Sequence, residues 1–276
     1  MYVKGGHQWC DKKKYRSNLP NTTVIICFHN EAWSVLLRTV HSVLERTPEH
    51  LLTEIILVDD FSGLDHLKRQ LDDYMNHFRK VRIIRLESRL GLIKARLRGA
   101  SKAVGTVLTF LDSHCECAEG WLEPLLERIA ENPTNVAVPT IDTIDLQTFE
   151  YRYSNYSRPN VGGFSWGLIY KWHRLPDRDY KAMKTRIDPV PSPTMAGGLF
   201  SINREYFERL GGYDPEFDIW GGENLEISFK IWMCGGRLEI VPCSHVGHVF
   251  RKKSPYKWRN GVNVLQRNNV RLAEVD

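Results

Sequence analysis

Apolar residues in the first half of the chain fall in short unbroken runs separated by amphipathic stretches. Val24 to Phe28 is one run, Glu54 to Val58 a second that ends at Asp59 and Asp60, Val81 to Leu86 a third, and Thr106 to Leu111 a fourth. Such runs, too short for helices and without polar alternation, predict strands buried on both faces. Between the first two, Asn30 and Glu31 open an amphipathic helix through Leu36, Leu37, Val40, Val43 and Leu44. Further helices are predicted from about Leu64 to His77, after the Gly91 turn through Leu92, Ile93, Leu97 and Ala100, and from Trp121 to Ile129. Strand and helix in alternation give an α/β fold, with a parallel sheet covered on both faces.

The rhythm breaks near Tyr151. Gly162 to Trp166 and Pro189 to Pro193 read as loops and short antiparallel pieces. Met195 to Phe200 reads as a strand entered through Gly197 and Gly198, glycines that let a ligand approach the backbone closely. The segment from Trp220 to Glu226 starts a helix with an apolar stripe at Leu225, Phe229 and Trp232. Glu223 and Asn224 fall in its first turn, near the positive end of the dipole. The chain has no internal repeats and no low-complexity tracts.

Candidate chemistry is densest where the fourth run ends, at Asp112-Ser113-His114. Residues two apart on a strand share a face, so Asp112 and His114 are predicted to project together at the strand's C-terminal edge. Open α/β sheets bind ligands at that edge. A carboxylate beside an imidazole suits a divalent metal such as manganese; the plainer reading is an Asp capping the next turn and a half-buried His. The first strand is not followed by G-x-G-x-x-G, and the chain carries no Walker loop, which excludes the dinucleotide and P-loop classes.

Composition narrows the picture only slightly. The chain has 276 residues, 42% hydrophobic and 26% charged, with a net charge of +5. Arg251, Lys252, Lys253, Lys257 and Arg259 crowd one segment, either a solvated face or a holder for a phosphate-rich ligand. Nucleic acid is disfavoured, since no nucleic-acid-binding motif accompanies the charge. No apolar run of about 18 residues is long enough to span a membrane, and the polar stretch from Met1 to Asn18 is not a signal peptide. The chain is therefore either cytosolic or a piece of something larger. Of six cysteines, Cys115 and Cys117 form a C-x-C without a second pair, which argues against structural zinc. Cys10 and Cys243 lie in polar flanking segments, where a disulfide is plausible in an oxidising compartment. Sequons at Asn21 and Asn155 are compatible with secretion.

Six segments together carry a resemblance: Phe28-His29-Asn30-Glu31, Val58-Asp59-Asp60, Asp112 to Cys117, Ala196 to Phe200, Trp220 to Asn224, and Gly247-His248-Val249-Phe250-Arg251. In combination the chain, from about Leu19 onward, resembles the catalytic domain of the UDP-GalNAc:polypeptide N-acetylgalactosaminyltransferases. The resemblance implies a GT-A type glycosyltransferase fold, with a Rossmann-like, mostly parallel sheet flanked by helices. It implies retaining transfer of GalNAc from UDP-GalNAc to Ser or Thr hydroxyls of polypeptides, the start of mucin-type O-glycosylation. The Mn2+ cofactor would be held by Asp112, His114 and His248; His245 is a rival by residue type only. The mechanism implied is front-face displacement, with the β-phosphate oxygen taking the acceptor's proton.

Further roles follow from the same resemblance. His29 and Asp60 would hold uracil and ribose, with Asp59 the rival carboxylate, and Arg89 and Ser113 join them as donor-binding residues. Gly197, Gly198, Glu223 and Asn224 match the GalNAc pocket, with a nucleophilic Glu223 as the minor reading. Trp220 would lie beneath the diphosphate, and Arg251 and Tyr256 match a loop that folds over UDP. Phe164 and Trp166 match an aromatic acceptor surface, or else are ordinary core aromatics. Cys10 and Cys243 match a family disulfide, and Cys234 a cysteine left free here.

The chain also departs from the family. Cys27 stands where Thr or Val is usual, and Lys257 to Gly261 replaces a Phe-Pro-Gly-Gly run. Residues 1–18 are expected to be a flanking segment and 19–276 a catalytic domain truncated at its C-terminus, without the lectin domain and membrane anchor. The full-length protein would be a type II membrane protein facing the Golgi lumen. The alternative is a truncated, inactive homologue that binds donor or peptide without turnover.

Overall fold

The computed structural model describes residues 10–154, 158–251 and 263–275. The predicted alternation is present: β1 (Thr22–Phe28), α1 (Trp33–Arg46), β2 (Leu52–Asp59), α2 (Arg69–Met75), β3 (Val81–Arg85), α3 (Leu92–Ala100) and β4 (Val107–Asp112). The helix expected over Leu64 to His77 is divided, with a short 3-10 turn at Asp65–Leu67 ahead of α2. There follow β5 (Cys115–Cys117), α4 (Glu123–Glu131), β6 (Asn135–Ile144), β7 (Tyr151–Arg152), β8 (Asn160–Phe164), β9 (Tyr170–Arg174), α5 (Asp177–Ala182) and β10 (Val190–Pro191). The chain closes with β11 (Phe200–Asn203), α6 (Arg204–Arg209), α7 (Glu223–Met233), β12 (Arg237–Val249) and α8 (Val264–Val275).

The large sheet runs β10-β12-β6-β11-β4-β1-β2-β3. The block β4-β1-β2-β3 is parallel, as the buried apolar runs require. Beyond it β11 is antiparallel to both β4 and β6, so the sheet is mixed, while β12 runs parallel to β6. Alternate residues of β1 feed two cores. Val24, Ile26 and Phe28 join Leu36, Val40, Trp121 and Leu125 on one face, and Ile25 and Cys27 join Ile93, Phe110, Phe200 and Leu225 on the other. Fully burying one such aliphatic side chain contributes about 1.5–3 kcal/mol.

Three local expectations are corrected. The strand predicted from Met195 begins only at Phe200, and the glycines before it form bends. On α7 the buried residues are Glu223, Leu225, Glu226, Ile227, Ser228 and Ile231, while Trp232 is partly exposed and donates its indole N–H to the Ser192 carbonyl. Cys243 lies within β12 and is buried, not in a polar flank. Its disulfide with Cys10 is formed, across a sequence separation of 233.

Candidate active site

Strands β1, β2 and β4 end level with one another, because Cys27 pairs with Asp112 and Phe28 with Asp59. The residues that follow therefore gather at one sheet edge, and a cleft of two chambers opens there. One chamber is lined by Cys27, His29, Asp60, Arg89 and Ser113, the other by Arg96, Gly197, Gly198, Trp220, Glu223 and His248. Leu92, Asp112, His114 and Arg251 line both.

The adjacent carboxylates at the end of β2 divide cleanly. Asp59 is turned away, bonded to the Arg85 guanidinium and to the Ser62 N–H. Asp60 faces the first chamber and accepts from the backbone N–H groups of Leu90 at 2.8 Å and Gly91 at 2.9 Å. Burial raises its pKa against those bonds. Arg89 Nε lies 3.4 Å from its Oδ2, and His29 Nδ1 is 2.7 Å from its backbone carbonyl. Asp60 thus shapes the wall of the chamber as well as facing it.

Asp112 closes β4, but His114 does not share the strand. It sits on the turn between β4 and β5, so the two converge by that turn and not by strand alternation. His248 arrives from β12, whose antiparallel pairing with β5 sets it opposite Cys115. Ligand atoms of Asp112, His114 and His248 lie within 4.8 Å of one another. His248 Nε2 is 3.3 Å from Asp112 Oδ2, and its buried Nδ1 has no hydrogen-bond partner among the described residues. Burial opposes ionisation of Asp112, but His248, Arg96 and His114 outweigh it and hold the carboxyl well below its usual range. An ionised carboxylate and two imidazoles form a donor set that fits a divalent transition metal. The rival, His245, is excluded: it is buried and bonded to Asp142 and to the Pro242 carbonyl.

Two residues of this site were not assigned a role from the sequence. Glu31 accepts from Ser113 Oγ at 2.8 Å, lies 3.2 Å from His114 Nδ1, and takes Arg251 Nη2 on both oxygens at 2.5 and 2.6 Å. Burial raises its pKa, but His114, Arg251 and Ser113 overcome this and lower it to about 2. A carboxylate behind a ligating imidazole fixes the ring's orientation and tautomer. Arg96 is buried on α3 and donates to Asp112 Oδ1 at 3.1 Å and to the Gly198 carbonyl at 3.3 Å. An arginine placed among Ile93, Ala95, Leu97 and Ala100 was the signal that could have found it.

The second chamber depends on close backbone approach. A Cβ on Gly198 would lie 2.3 Å from Asp112 Oδ2, and one on Gly197, whose φ is +88°, would lie 2.5 Å from Asn224 Cβ. Glu223 is buried; desolvation raises its pKa although Arg96 and the Gly221 N–H favour the charged form. Asn224 is not among the lining residues and instead donates to the Met195 carbonyl at 3.0 Å, bracing the glycine bend from behind. Trp220 lines the chamber just after Ile219, which is held at φ 48° and accepts from Leu92 N–H.

Of the remaining sequence candidates, Arg251 stands at the junction of the chambers, whereas Tyr256 and the basic residues Lys252, Lys253, Lys257 and Arg259 lie outside the described residues. Trp166 is fully exposed and Phe164 partly so, the latter packed on Phe229, so neither is an ordinary core aromatic. Cys234 is a free, exposed thiol, while Cys27, Cys115 and Cys117 are free and buried.

The sequence matches the glycosyl transferase family 2 profile over residues 23–207 and that of the N-terminal domain of galactosyltransferase over residues 181–254. Polypeptide N-acetylgalactosaminyltransferase 5 of Caenorhabditis elegans is 70% identical over 267 residues, covering 96% of this chain and 43% of that protein. Polypeptide N-acetylgalactosaminyltransferase 13 of Homo sapiens is 57% identical over 269 residues, covering 96% and 48%. The chain thus spans less than half the length of these curated relatives. A crystal structure of GalNAc-T7 with UDP, GalNAc and Mn2+ superposes with a TM-score of 0.94 at 44% identity, over 99% of this chain and 52% of that one. A Pyrobaculum calidifontis mannosyltransferase shares the fold at a TM-score of 0.62 and 18% identity, over 90% of this chain and 63% of that one.

Proposed function

Because this chain belongs to the polypeptide N-acetylgalactosaminyltransferases, within glycosyl transferase family 2, we propose that it transfers GalNAc from UDP-GalNAc to Ser or Thr hydroxyls of polypeptides, with retention. The observation that carries this reading is the convergence of Asp112, His114 and His248 where the two chambers meet. A diphosphate belongs at that junction, with its nucleoside on one side and its sugar on the other. His29, Asp60, Arg89 and Ser113 line the nucleoside side; Gly197, Gly198, Glu223 and Trp220 line the sugar side.

Asp112, His114 and His248 would hold Mn2+, which when bound neutralises the diphosphate and favours departure of UDP. The chain's own groups do the rest. Arg251 adds a second cation at the junction, with a planar guanidinium suited to phosphate oxygens. Glu31 fixes the His114 ring and Arg96 fixes Asp112. Glu223 and the glycine bend orient the sugar, leaving the anomeric carbon open on the face from which UDP departs. The acceptor oxygen bonds to that carbon as the carbon–phosphate oxygen bond breaks, and the acceptor proton passes to the leaving phosphate. This route needs no glycosidase-like pair of carboxylates.

The exposed Trp166 and Phe164 offer an apolar face for the acceptor peptide. The Cys10–Cys243 disulfide supports an oxidising, lumenal compartment, and we place the activity in the Golgi. No helix among the described residues is long and apolar enough to cross a membrane.

Incubating the chain with UDP-GalNAc, Mn2+ and a Thr-rich peptide tests the reading. Mass spectrometry should detect a peptide carrying one added N-acetylhexosamine, and EDTA should abolish it. Donor binding without any glycopeptide would favour a binding protein instead.

A further inference from the structure

Strand β12 reaches the cleft only after an interruption in its pairing. Its partners on β6 run as far as Val241 opposite Pro139 and resume with His245 opposite Thr140, so Pro242, Cys243 and Ser244 have no counterparts. Each of the three is tied elsewhere: Cys243 by the disulfide to Cys10, Ser244 by its hydroxyl to the Trp121 carbonyl, and Pro242 by its carbonyl to His245 Nε2 at 2.9 Å. The other ring nitrogen of His245, Nδ1, lies 3.0 Å from Asp142 Oδ2. Asp142 is fully buried and also accepts from the Tyr151 hydroxyl at 2.8 Å and the Ser154 N–H at 2.8 Å.

A peptide carbonyl and a carboxylate offer only acceptors to the ring. Satisfying both bonds therefore needs a proton on each ring nitrogen. We propose that His245 and Asp142 form a buried imidazolium–carboxylate pair whose role is to lock the register of β12 and so aim His248 into the cleft. The proposal rests on the reading of His248 as a metal ligand.

Register matters here because side chains alternate faces along a strand, and a slip of one residue would replace His248 with Gly247 or Val249. Val246 packs in the core, while Gly247 faces Tyr151, where any Cβ would come within 2.4 Å of the ring. The lock thus acts in two ways. Asp142 holds His245, which closes the three-residue bulge through Pro242. It also holds the Tyr151 hydroxyl, and the ring of Tyr151 then admits only glycine at the position before His248. A buried ion pair repays little of its desolvation, and setting register is the use best attested for such pairs.

Nitrogen-15 NMR of the ring-labelled, metal-free protein at pH 7 should show both nitrogens of His245 protonated. A neutral, single-tautomer ring would overturn the pair. Asp142→Asn keeps the volume and removes the charge. It should weaken Mn2+ binding about tenfold, read by electron paramagnetic resonance of free Mn2+, with the circular dichroism of the native fold retained. A variant that melts lower yet binds Mn2+ with native affinity would reduce the pair to a structural strut and refute the positioning role. If the native chain itself bound no Mn2+, the metal reading would fail, and the nitrogen spectrum would still decide the protonation of the pair.

Discussion

Glu31 joins three groups of the site, Ser113, His114 and Arg251, through one carboxylate. With its pKa lowered from 4.5 to about 2, it is charged in the folded state where it would be protonated in the unfolded chain. A depressed carboxylate stabilises above its unfolded pKa, and that stabilisation is lost as pH falls through the folded value. Glu31→Gln should therefore melt below the native protein at pH 7, and the gap should narrow between about pH 4.5 and pH 2, measured by thermal melts across that range. A gap independent of pH would show that the charge of Glu31 contributes nothing. At Gly198 the prediction is steric. Gly198→Ala puts a methyl group 2.3 Å from Asp112 Oδ2, so Mn2+-dependent donor binding should fall at least tenfold by calorimetry while the fold persists. Much at this scale was legible, because Asp112, His114, Gly198 and Glu223 stand in short distinctive motifs. Arg96 was not: it sits inside an otherwise apolar helical face, and only the approach of Asp112 and the Gly198 carbonyl explains a cation there. His248 is preferred to His245 on the resemblance alone, and the structure adds that Asp142 and the Pro242 carbonyl occupy the ring of His245.

Among the elements, β1, β2 and β4 were legible because strands buried on both faces must be apolar at every position. Strand direction is not encoded in such a local pattern. The antiparallel insertion of β11 between β4 and β6 therefore emerged only from the pairing, as did the late start of that strand after Leu199. Strand β12 was hidden for a different reason, since Pro242, Cys243 and Ser244 interrupt its pattern with residues that belong to its bulge. The disulfide fastens this bulge to Cys10. Closing so long a loop restricts the unfolded chain, which in the chain-entropy account contributes roughly 3–5 kcal/mol. Cys10→Ser should lower the urea midpoint and steepen the slope, because the unfolded chain freed of the bond exposes more surface, and should leave Cys243 a free thiol that alkylates on unfolding. An unshifted midpoint would mean that the bulge is held without the bond.

Over the whole molecule, the sheet brings together residues from distant parts of the chain. His29 and Asp60, from the ends of β1 and β2, line one chamber, His248 from β12 lines the other, and Asp112 and His114 from the end of β4 line both. On the proposed reading, a nucleotide-sugar would lie across the two chambers with its diphosphate beside Asp112, His114 and His248. Calorimetric titration of UDP into the native chain and into Asp112→Ala, each with Mn2+ and with EDTA, tests that reading most directly. The native chain should bind UDP at least tenfold more tightly with Mn2+ than with EDTA, and the variant should show no such difference. Metal-dependent binding that survives intact in Asp112→Ala would contradict the assignment of Asp112, His114 and His248 as the centre that holds the donor.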